Sequence, residues 1–372
     1  MTDFATEEEF NKKLDQIFQE KAPNFDEKIS IALIGKVSAG KSSLLNAFFE
    51  RKRDNVIAPV GATSGVTTSV KFFRLDDDVI IADCPGLDDI KEENSQETIK
   101  FLEDIDIGIF VVTGSADKSQ KKNFDTLVSS CKKTFVVLNK SDEWDDHEDD
   151  GKEEVFQQWK HTLGIDEIYP TVTKGYDPKT KKDAPMDIRG VDELRTAVIE
   201  ELKKSKKALR LQRQMQQKDK YAISIILTAA VATAGEAFIP GSAAYITATQ
   251  AAAIVSLNFL YTGEHLSKTA ALAILPTFIG QSLGRSAFLL AKSLLPPTGI
   301  IDVAAALVAS IMTLAMLIAV KWVLENNHSL GEKGLLAEKY KELSKLFDGL
   351  KFEDFKDPAR LGAIIFQKYI VK

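Results

Sequence analysis

The sequence is poor in cysteine, and one long stretch of it is nearly without charge. Only two of its 372 residues are cysteines, Cys84 and Cys131, which excludes a disulfide framework and favours a reduced, intracellular setting. The first eleven residues are acidic and lack the basic start and apolar core of a secretory signal, so we expect a cytoplasmic protein that is not secreted. The formal net charge of -6 argues against a surface that binds nucleic acid, and we do not expect a nucleic-acid partner.

The charged residues are distributed unevenly along the chain. Residues 221–329 contain only eight of them, whereas the 18 residues of 203–220 hold eight basic residues and one acidic residue. A chain of this length usually folds as more than one domain. We therefore predict five parts, which are an N-terminal helix (1–27), an α/β domain (28–204), a basic helical connector (205–220), a hydrophobic helical domain (221–329) and C-terminal helices that pack on it (330–372).

Short apolar runs alternate with helix-like segments in the first half of the chain. The runs cover residues 29–34, 79–82, 107–113 and 134–138, and their length and composition are typical of buried strands. Strands that alternate with helices form a parallel sheet covered on both faces. The predicted fold class is therefore α/β, with a mainly parallel sheet, followed by an all-α hydrophobic domain.

A phosphate-binding motif follows the first of these runs. Residues 35–42, Gly-Lys-Val-Ser-Ala-Gly-Lys-Ser, fit the pattern G-x-x-x-x-G-K-[ST], in which glycines let backbone N–H groups approach the phosphates. We expect Lys41 to reach the β- and γ-phosphates and Ser42 to place its hydroxyl on Mg²⁺. The predicted phosphate contacts are Gly35, Lys36, Val37, Ser38, Ala39, Gly40, Lys41, Ser42 and Ser43.

Two further motifs end apolar runs later in the chain. In Asp-Cys-Pro-Gly at 83–86, we expect Asp83 to hold the metal through water and the Gly86 N–H to sense the γ-phosphate. In Asn-Lys-Ser-Asp at 139–142, Asp142 is placed to accept hydrogen bonds from guanine N1–H and N2–H₂, with Asn139 and Lys140 beside it. Adenine lacks this donor pattern, and comparable sites discriminate by roughly 10⁴–10⁵.

With these three motifs in this order, residues 28–204 resemble an Era-like GTPase domain of the translation-factor-related P-loop class. The resemblance implies GTP as substrate, Mg²⁺ as cofactor and a switch threonine in the sequence Gly-Val-Thr-Thr at 65–68, with Thr68 as the preferred metal ligand and Thr67 as the alternative. It also implies that Thr173 and Lys174 form the last base-contacting loop. That loop departs from the family's usual Ser-Ala-Lys.

The residues that complete catalysis are less clearly marked. Ras-like enzymes carry a glutamine directly after Asp-x-x-Gly, but this chain has Leu87, so we expect an unassisted rate of roughly 10⁻⁴–10⁻³ s⁻¹. Resemblance to relatives without that glutamine implies help from a homodimer formed through the nucleotide face or from a monovalent cation at Ser38. The predicted catalytic residues are Lys41, Thr68, Gly86 and Ser38. Arg51, Arg53 and Arg74 either act in trans or are solvated surface charges.

The second half admits two interpretations. We expect residues 191–221 to run as one helix through the basic connector into apolar segments at 243–259, 269–284 and 303–320. The last segment has 18 uncharged residues, which reaches the usual threshold for a membrane span, and the basic connector would attract anionic lipid. The same segments can instead form an alanine-rich bundle in water.

A weaker resemblance concerns this hydrophobic region. The sequences Ile-Pro-Gly at 239–241 and Leu-Pro-Pro-Thr-Gly at 295–299 look like an uncharacterised bacterial helical domain, and the layout is similar to immunity-related and dynamin-like GTPases. We expect a GTP-hydrolysing switch whose helical domain engages an anionic membrane. The alternatives are a soluble Era-like GTPase of ribosome or RNA assembly and a GTP-gated scaffold that does not hydrolyse GTP.

Overall fold

A computed structural model describes residues 6–60, 71–84, 105–146, 149–181, 183–239, 241–279 and 303–370. The chain forms two compact units. One unit, Asn24–Gln216, contains the strands and is called the sheet unit below. The other, the helical unit, combines Met1–Pro23 with Gln217–Lys372 and so includes the first helix, α1 (Glu7–Lys21). The predicted division into five parts stays a prediction.

The described part of the sheet unit has seven strands in the order β2-β3-β1-β4-β5-β6-β7. The pairs that join β3, β1, β4, β5 and β6 are parallel, and only the outer strands β2 and β7 pair antiparallel to their neighbours. The prediction of a mainly parallel sheet is confirmed. The strands are β1 (Ile29–Ile34), β2 (Lys71–Arg74), β3 (Val79–Cys84), β4 (Ile105–Val112), β5 (Cys131–Asn139), β6 (Tyr169–Lys174) and β7 (Asp187–Arg189).

Two groups of helices cover this sheet. Alternate residues of the central strands, such as Ile34 and Leu138, pack with Phe124 and Trp159 of the helices that follow β4 and β5. Because successive strand residues point to opposite faces, the intervening residues face the other group of helices. The helices are α2 (Lys41–Phe48), α3 (Lys121–Ser130), α4 (Asp149–Leu163), α5 (Val191–Lys204) and α6 (Ala208–Gln214).

The expected single helix over residues 191–221 is wrong. Helix α5 ends at Lys204, and Lys206 adopts a left-handed backbone with φ of 59°. Helix α6 then ends before Met215, whose backbone is extended. These breaks turn the fully buried Lys207 inward, where its Nζ lies 3.0 Å from Asp106 Oδ1. A continuous helix would forgo this buried ion pair, so tertiary contacts override the local helix preference.

The helical unit is built around three long helices that contact one another. These are α7 (Lys218–Glu236), α8 (Ser242–Thr262) and α10 (Val303–Glu325). The predicted segments 243–259 and 303–320 are confirmed as helical. Segment 269–284 begins in α9 (Lys268–Leu272) and continues into a 3₁₀ turn (Leu275–Ile279), and its remainder lies outside the described residues. Helix α11 (Lys333–Ser344) packs on α10, and α12 (Pro358–Ile365) packs on α7.

Helix α1 belongs to the core of this unit. Its buried residues Phe10, Leu14 and Ile17 pack against Ala244 and Ala248 of α8. The small alanine side chains leave room for the three large ones, so the apolar face of this helix is covered by its own chain. The helical unit is therefore completed by residues that precede the sheet unit in the sequence.

Among the residues that the structure describes, two helices, Ser242–Thr262 and Ala306–Glu325, are long and apolar enough to cross a membrane. Of their most apolar windows, 83% and 72% respectively are buried inside the unit. The core helices of soluble proteins satisfy the same criterion, so length and composition are weak grounds for a span. Both interpretations of the hydrophobic region are compatible with this packing.

Candidate functional site

The phosphate loop lies between β1 and α2 and is shaped by two glycines. A Cβ atom on Gly35 would lie 2.2 Å from the carbonyl oxygen of Val111, so only glycine lets the loop pass so close to β4. Gly40 has a φ of 83° and precedes the first residue of α2, a backbone conformation that favours glycine. The loop is thereby set at the carboxyl edge of the parallel strands, where open α/β sheets bind ligands.

Lys41 is folded under this loop. Its side chain is only 6% exposed, and its Nζ donates to the carbonyl oxygens of Gly35 at 2.8 Å and Lys36 at 3.2 Å. The same Nζ lies 3.8 Å from Oδ1 of Asp83. This buried ammonium group is a ready partner for phosphate oxygens.

Asp83, near the end of β3, has the features of a metal-binding carboxylate. Ser42 Oγ donates to its Oδ2 at 3.3 Å, whereas its buried Oδ1 has no hydrogen-bond partner among the described residues. Burial raises the pKa of Asp83, an effect that the charge of Lys41 opposes. A buried oxygen that lacks a donor is costly, and a bound cation would satisfy it.

The chemistry of these side chains fits Mg²⁺, which prefers oxygen ligands and usually combines one or two protein ligands with phosphate oxygens. Ser42 and Asp83 supply such oxygens side by side. In the part of the chain that the structure describes, no group of three or more His, Cys, Asp or Glu side chains is arranged to hold a metal by itself. The residues predicted to bind the metal therefore need the nucleotide to supply a further ligand to Mg²⁺.

Asn139 joins the phosphate loop to the base-recognition loops. This fully buried side chain donates through Nδ2 to the carbonyl oxygen of Ala39 at 2.9 Å. Its Oδ1 accepts hydrogen bonds from the hydroxyls of Thr171 and Thr173, both at 3.1 Å. A Cβ atom on Gly40 would lie 2.3 Å from Asn139 Nδ2, so the two loops are in direct contact.

Asp142 follows β5 in a short 3₁₀ turn that begins after Lys140, whose backbone is left-handed with φ of 60°. Its side chain is 8% exposed and forms an ion pair with Lys174 through Oδ2. That hydrogen bond to Asp142 raises the pKa of Lys174. Within the described ranges of the chain, the buried Oδ1 of Asp142 has no hydrogen-bond partner, so this carboxylate has an acceptor available for the edge of a base.

The remaining predicted loop residues lie at the exposed mouth of the site. The Lys36 side chain forms an ion pair with Asp117, and this hydrogen bond lowers the pKa of Asp117 to about 2. Lys36 therefore faces the phosphates with its backbone rather than its ammonium group. Val37 and Ser38 are exposed, and Ser38 has a φ of 67°. Ser43 is half-buried on the first turn of α2.

Two of the predicted catalytic residues, Thr68 and Gly86, lie outside the described residues, as do Thr67 and Leu87. Of the other predicted site residues, the structure brings together Lys41, Ser42, Asp83, Asn139, Asp142, Thr173 and Lys174.

Arg51 and Arg53 are not freely solvated charges. The guanidinium group of Arg53 donates to the carbonyl oxygens of Lys181 and Ala184 at 2.8 and 2.9 Å. Arg51 donates to the carbonyl oxygen of Gln214 at 3.0 Å. Both side chains therefore stabilise segments of their own unit, and their action in trans stays a prediction.

Sequence reasoning missed Thr171. Its hydroxyl, together with that of Thr173, fixes the orientation of the Asn139 amide. A signal was present, because residues two apart on a strand point to the same face and both positions of β6 carry threonine. The two threonines indicate a role for Thr171 only when the pairing of β6 with β5 is known.

Comparisons with known proteins cover the sheet unit. The sequence profile of a family described as 50S ribosome-binding GTPase matches residues 30–140. The tRNA modification GTPase MnmE of Campylobacter jejuni is 35% identical over 144 residues, which are 36% of this chain and 32% of that protein. GTPase Der of Campylobacter hominis is 30% identical over 165 residues, 41% of this chain and 36% of that protein. The chain thus spans about a third of the length of these curated relatives.

Among solved structures, Era from Aquifex aeolicus bound to GDP and aluminium fluoride superposes on 55% of this chain and 68% of its own, with 17% identity and a TM-score of 0.28. A superposition as partial as this supports no inference about function. The sequence matches and the loop geometry together show that the chain contains a P-loop, GTP-binding GTPase domain of the translation-factor-related class. The helical unit lies outside the residues that the family profile matches.

Proposed function

We propose that this chain is a magnesium-dependent GTP hydrolase that works as a nucleotide-controlled switch. One observation carries the proposal. Two buried carboxylates at the carboxyl edge of the sheet, Asp83 and Asp142, each keep one oxygen that accepts no hydrogen bond from the part of the chain that the structure describes, and the glycine-lined loop lies between them. One oxygen suits a cation beside phosphates, and the other suits the N–H groups of guanine.

The residues divide the work of binding. Lys41 exchanges part of its contact with the loop carbonyls for the β- and γ-phosphates, and Ser42 and Asp83 hold the cation. When bound, Mg²⁺ neutralises charge that develops on the phosphates. In this proposal Thr68 adds a metal ligand and the Gly86 N–H contacts the γ-phosphate. Asn139 keeps the base loops and the phosphate loop in one arrangement.

Nucleotide selectivity tests this assignment. In calorimetry with Mg²⁺ on the full chain, we expect GDP and GTP to bind and ADP and ATP to bind at least about 10³-fold more weakly. Asp142→Asn should lose guanine binding and gain xanthine binding, because the amide donates where xanthine carries an oxygen and still accepts from N1–H. Equal affinities for guanosine and adenosine nucleotides would refute the proposal.

Turnover distinguishes a hydrolase from a scaffold. Leu87 supplies no group to orient water, so we propose that a homodimer through the nucleotide face, or a monovalent cation near Ser38, completes the site. Specific GTPase activity should then rise with protein concentration or with K⁺ in place of Na⁺. GTP binding without measurable phosphate release at any concentration would favour the GTP-gated scaffold.

We further propose that the helical unit contacts an anionic membrane surface. Phe238, Ile239 and Val303 are 45%, 38% and 48% exposed. Ala237 beside the first two packs with Ala306 one turn after the third, so the exposed residues share one end of the unit. The basic connector supports this contact less than its composition predicts, because several of its side chains form ion pairs within the sheet unit.

Sedimentation with vesicles tests the membrane proposal. We expect the full chain to co-sediment with anionic vesicles, and Phe238→Ser combined with Ile239→Ser to reduce that binding. Val128→Ser is the matched control, since Val128 is 47% exposed on the sheet unit. An absence of binding with GDP and with a non-hydrolysable GTP analogue would contradict the proposal, and salt-sensitive RNA co-purification would favour the Era-like alternative.

A further inference from the structure

Helix α6 is buried to an unusual degree for a short polar helix. Six of its seven residues are buried, including Arg210, Gln212 and Gln214. Polar side chains are buried only where partners satisfy them. The partners of this helix therefore show what it is built to hold.

The first set of partners is the turn between β2 and β3. Arg210 forms an ion pair with Asp78. Arg213 Nη1 lies 2.7 Å from Asp76 Oδ2, and the Gln214 amide donates to the same oxygen. Three side chains that lie on one face of α6 thus bind two acidic residues of the same turn.

Asp76 also builds the turn that it presents. Its Oδ1 accepts hydrogen bonds from the backbone N–H groups of Asp78 at 2.7 Å and Val79 at 3.1 Å. From Val79, strand β3 runs about 13 Å to Asp83 at the nucleotide edge. The other strand of the hairpin, β2, follows the segment that contains Thr68. Both arms of the hairpin therefore lead to residues proposed to contact Mg²⁺ or the γ-phosphate.

The second set of partners is the segment that enters the sheet unit. Asn24 N–H donates to the carbonyl oxygen of Lys206 at 3.3 Å, and Arg210 Nε donates to the carbonyl oxygen of Asn24 at 3.3 Å. Lys207 Nζ donates to the carbonyl oxygen of Lys28 at 3.0 Å. The incoming segment 24–28 and the outgoing segment 206–216 are the two covalent connections to the helical unit. Arg210 of α6, with Lys206 and Lys207 just before the helix, holds them together.

We propose that helix α6 transmits the nucleotide state from the β2–β3 hairpin to both connections of the helical unit. This inference rests on the proposed function, because it needs a site that distinguishes GTP from GDP. A change at Asp83 or at the start of β2 displaces the hairpin turn, and the Asp76 and Asp78 pairs carry that displacement into α6. Since α6 also binds Asn24, the two connections respond together.

Hydrogen–deuterium exchange on the full chain tests this coupling. We expect peptides from 206–216 and 24–28 to exchange differently with Mg²⁺–GDP and with a Mg²⁺-bound non-hydrolysable GTP analogue. Asp76→Asn should reduce that difference, with the Arg210–Asp78 pair carrying what remains, while leaving the affinity for GDP within about threefold. Asparagine keeps the acceptor for the Asp78 and Val79 N–H groups, so the turn survives and only the charge of Asp76 is lost.

Two further variants make the test decisive. Arg213→Gln breaks the same link from the helix side and serves if Asp76→Asn does not fold. Glu200→Gln removes an exposed carboxylate paired with Lys203 on helix α5 and should leave the exchange difference intact. The inference is wrong if the unmodified chain shows no difference in these peptides, or if both link variants retain it in full, while calorimetry on the same samples shows nucleotide binding. A chain that binds no guanine nucleotide would instead refute the proposed function.

Discussion

Buried carboxylates at the two edges of the sheet differ in how completely their oxygens are hydrogen-bonded. At the amino edge, Asp106 is 3% exposed, and both of its oxygens are occupied by Lys207, with Lys132 on one and the Ser30 N–H on the other. At the carboxyl edge, Asp83 and Asp142 each keep one oxygen that has no hydrogen-bond partner among the described residues. An unsatisfied buried carboxylate oxygen destabilises a fold, so these two carboxylates mark the place where a ligand supplies what the protein lacks.

Gly190 and Gly40, near opposite edges of the sheet, differ in what a side chain at each position would meet. A Cβ atom on Gly190, next to the amino end of β6, would lie 1.9 Å from the backbone oxygen of Pro170. A Cβ atom on Gly40 would meet the Asn139 side-chain amide instead. A side chain can rotate away, whereas a backbone carbonyl within a paired strand cannot. The two glycines should therefore fail in different ways.

The largest expected effect comes from replacing these glycines by alanine. Gly40→Ala displaces the Asn139 amide and strains a left-handed position, and we expect a loss of about 3 kcal/mol of binding energy, or roughly 100-fold in GDP affinity, with a small change in Tm. Gly190→Ala should lower the free energy of unfolding by about 3 kcal/mol while the folded fraction binds GDP normally. Calorimetry and thermal unfolding measure both. A Gly40→Ala protein that binds GDP with normal affinity would contradict the proposal that the carboxyl edge serves binding and the amino edge serves stability.

An intermediate effect is expected from one substitution made at both edges. A carboxyl group whose pKa is raised on folding stabilises the folded protein only below its ordinary pKa, and its ionised form at pH 7 is destabilising. Because burial raises the pKa of Asp83, Asp83→Asn should raise the Tm of the nucleotide-free protein at pH 7. The gain should shrink toward pH 4, where the parent carboxyl takes up a proton.

Asp106→Asn should have the opposite sign. The substitution weakens the hydrogen bonds that Lys207 Nζ donates to the buried side chain of Asp106. We expect the free energy of unfolding at pH 7 to fall by about 2 kcal/mol. Thermal unfolding of both variants after nucleotide removal provides the comparison. If both substitutions lower Tm equally, buried carboxylates at the two edges do not differ in their effect on the stability of the folded protein.

The sequence predicted the carboxyl edge better than the amino edge. The four apolar runs lie in β1, β3, β4 and β5, and each nucleotide motif directly follows or ends such a strand. A motif at a strand end is a local pattern, since the parallel arrangement of the strands alone brings those ends together. Asp83, Asn139 and Asp142 could therefore be placed near one another before any contact was known.

The amino edge depends on contacts between distant residues. Nothing in the run of basic residues 203–220 shows that Lys207 pairs with Asp106, about a hundred positions earlier. Helix propensity favoured an unbroken helix there, and the composition favoured a lipid-binding surface. The burial of paired charge accompanies the breaks in the helix and occupies several of these basic side chains within the sheet unit, whereas the contact with lipid stays a prediction. The membership of α1 in the helical unit was likewise hidden, because its apolar face does not specify which helix covers it.

The smallest expected effect concerns the mouth of the nucleotide site, where an exposed acid stands beside the phosphate loop. Asp117 pairs with Lys36, and its pKa of about 2 keeps it ionised at every pH from 4 to 9. Asp117→Asn removes one negative charge and releases the Lys36 ammonium, so GTP affinity should rise about two- to threefold at low salt and independently of pH over that range. The gain should fade as ionic strength approaches 1 M, where the Debye length is about 3 Å. Asp125→Asn, which breaks the exposed Lys121–Asp125 pair on helix α3, is the matched control and should not change affinity. An equal gain in both variants would assign the effect to net charge rather than to this acid at the functional edge.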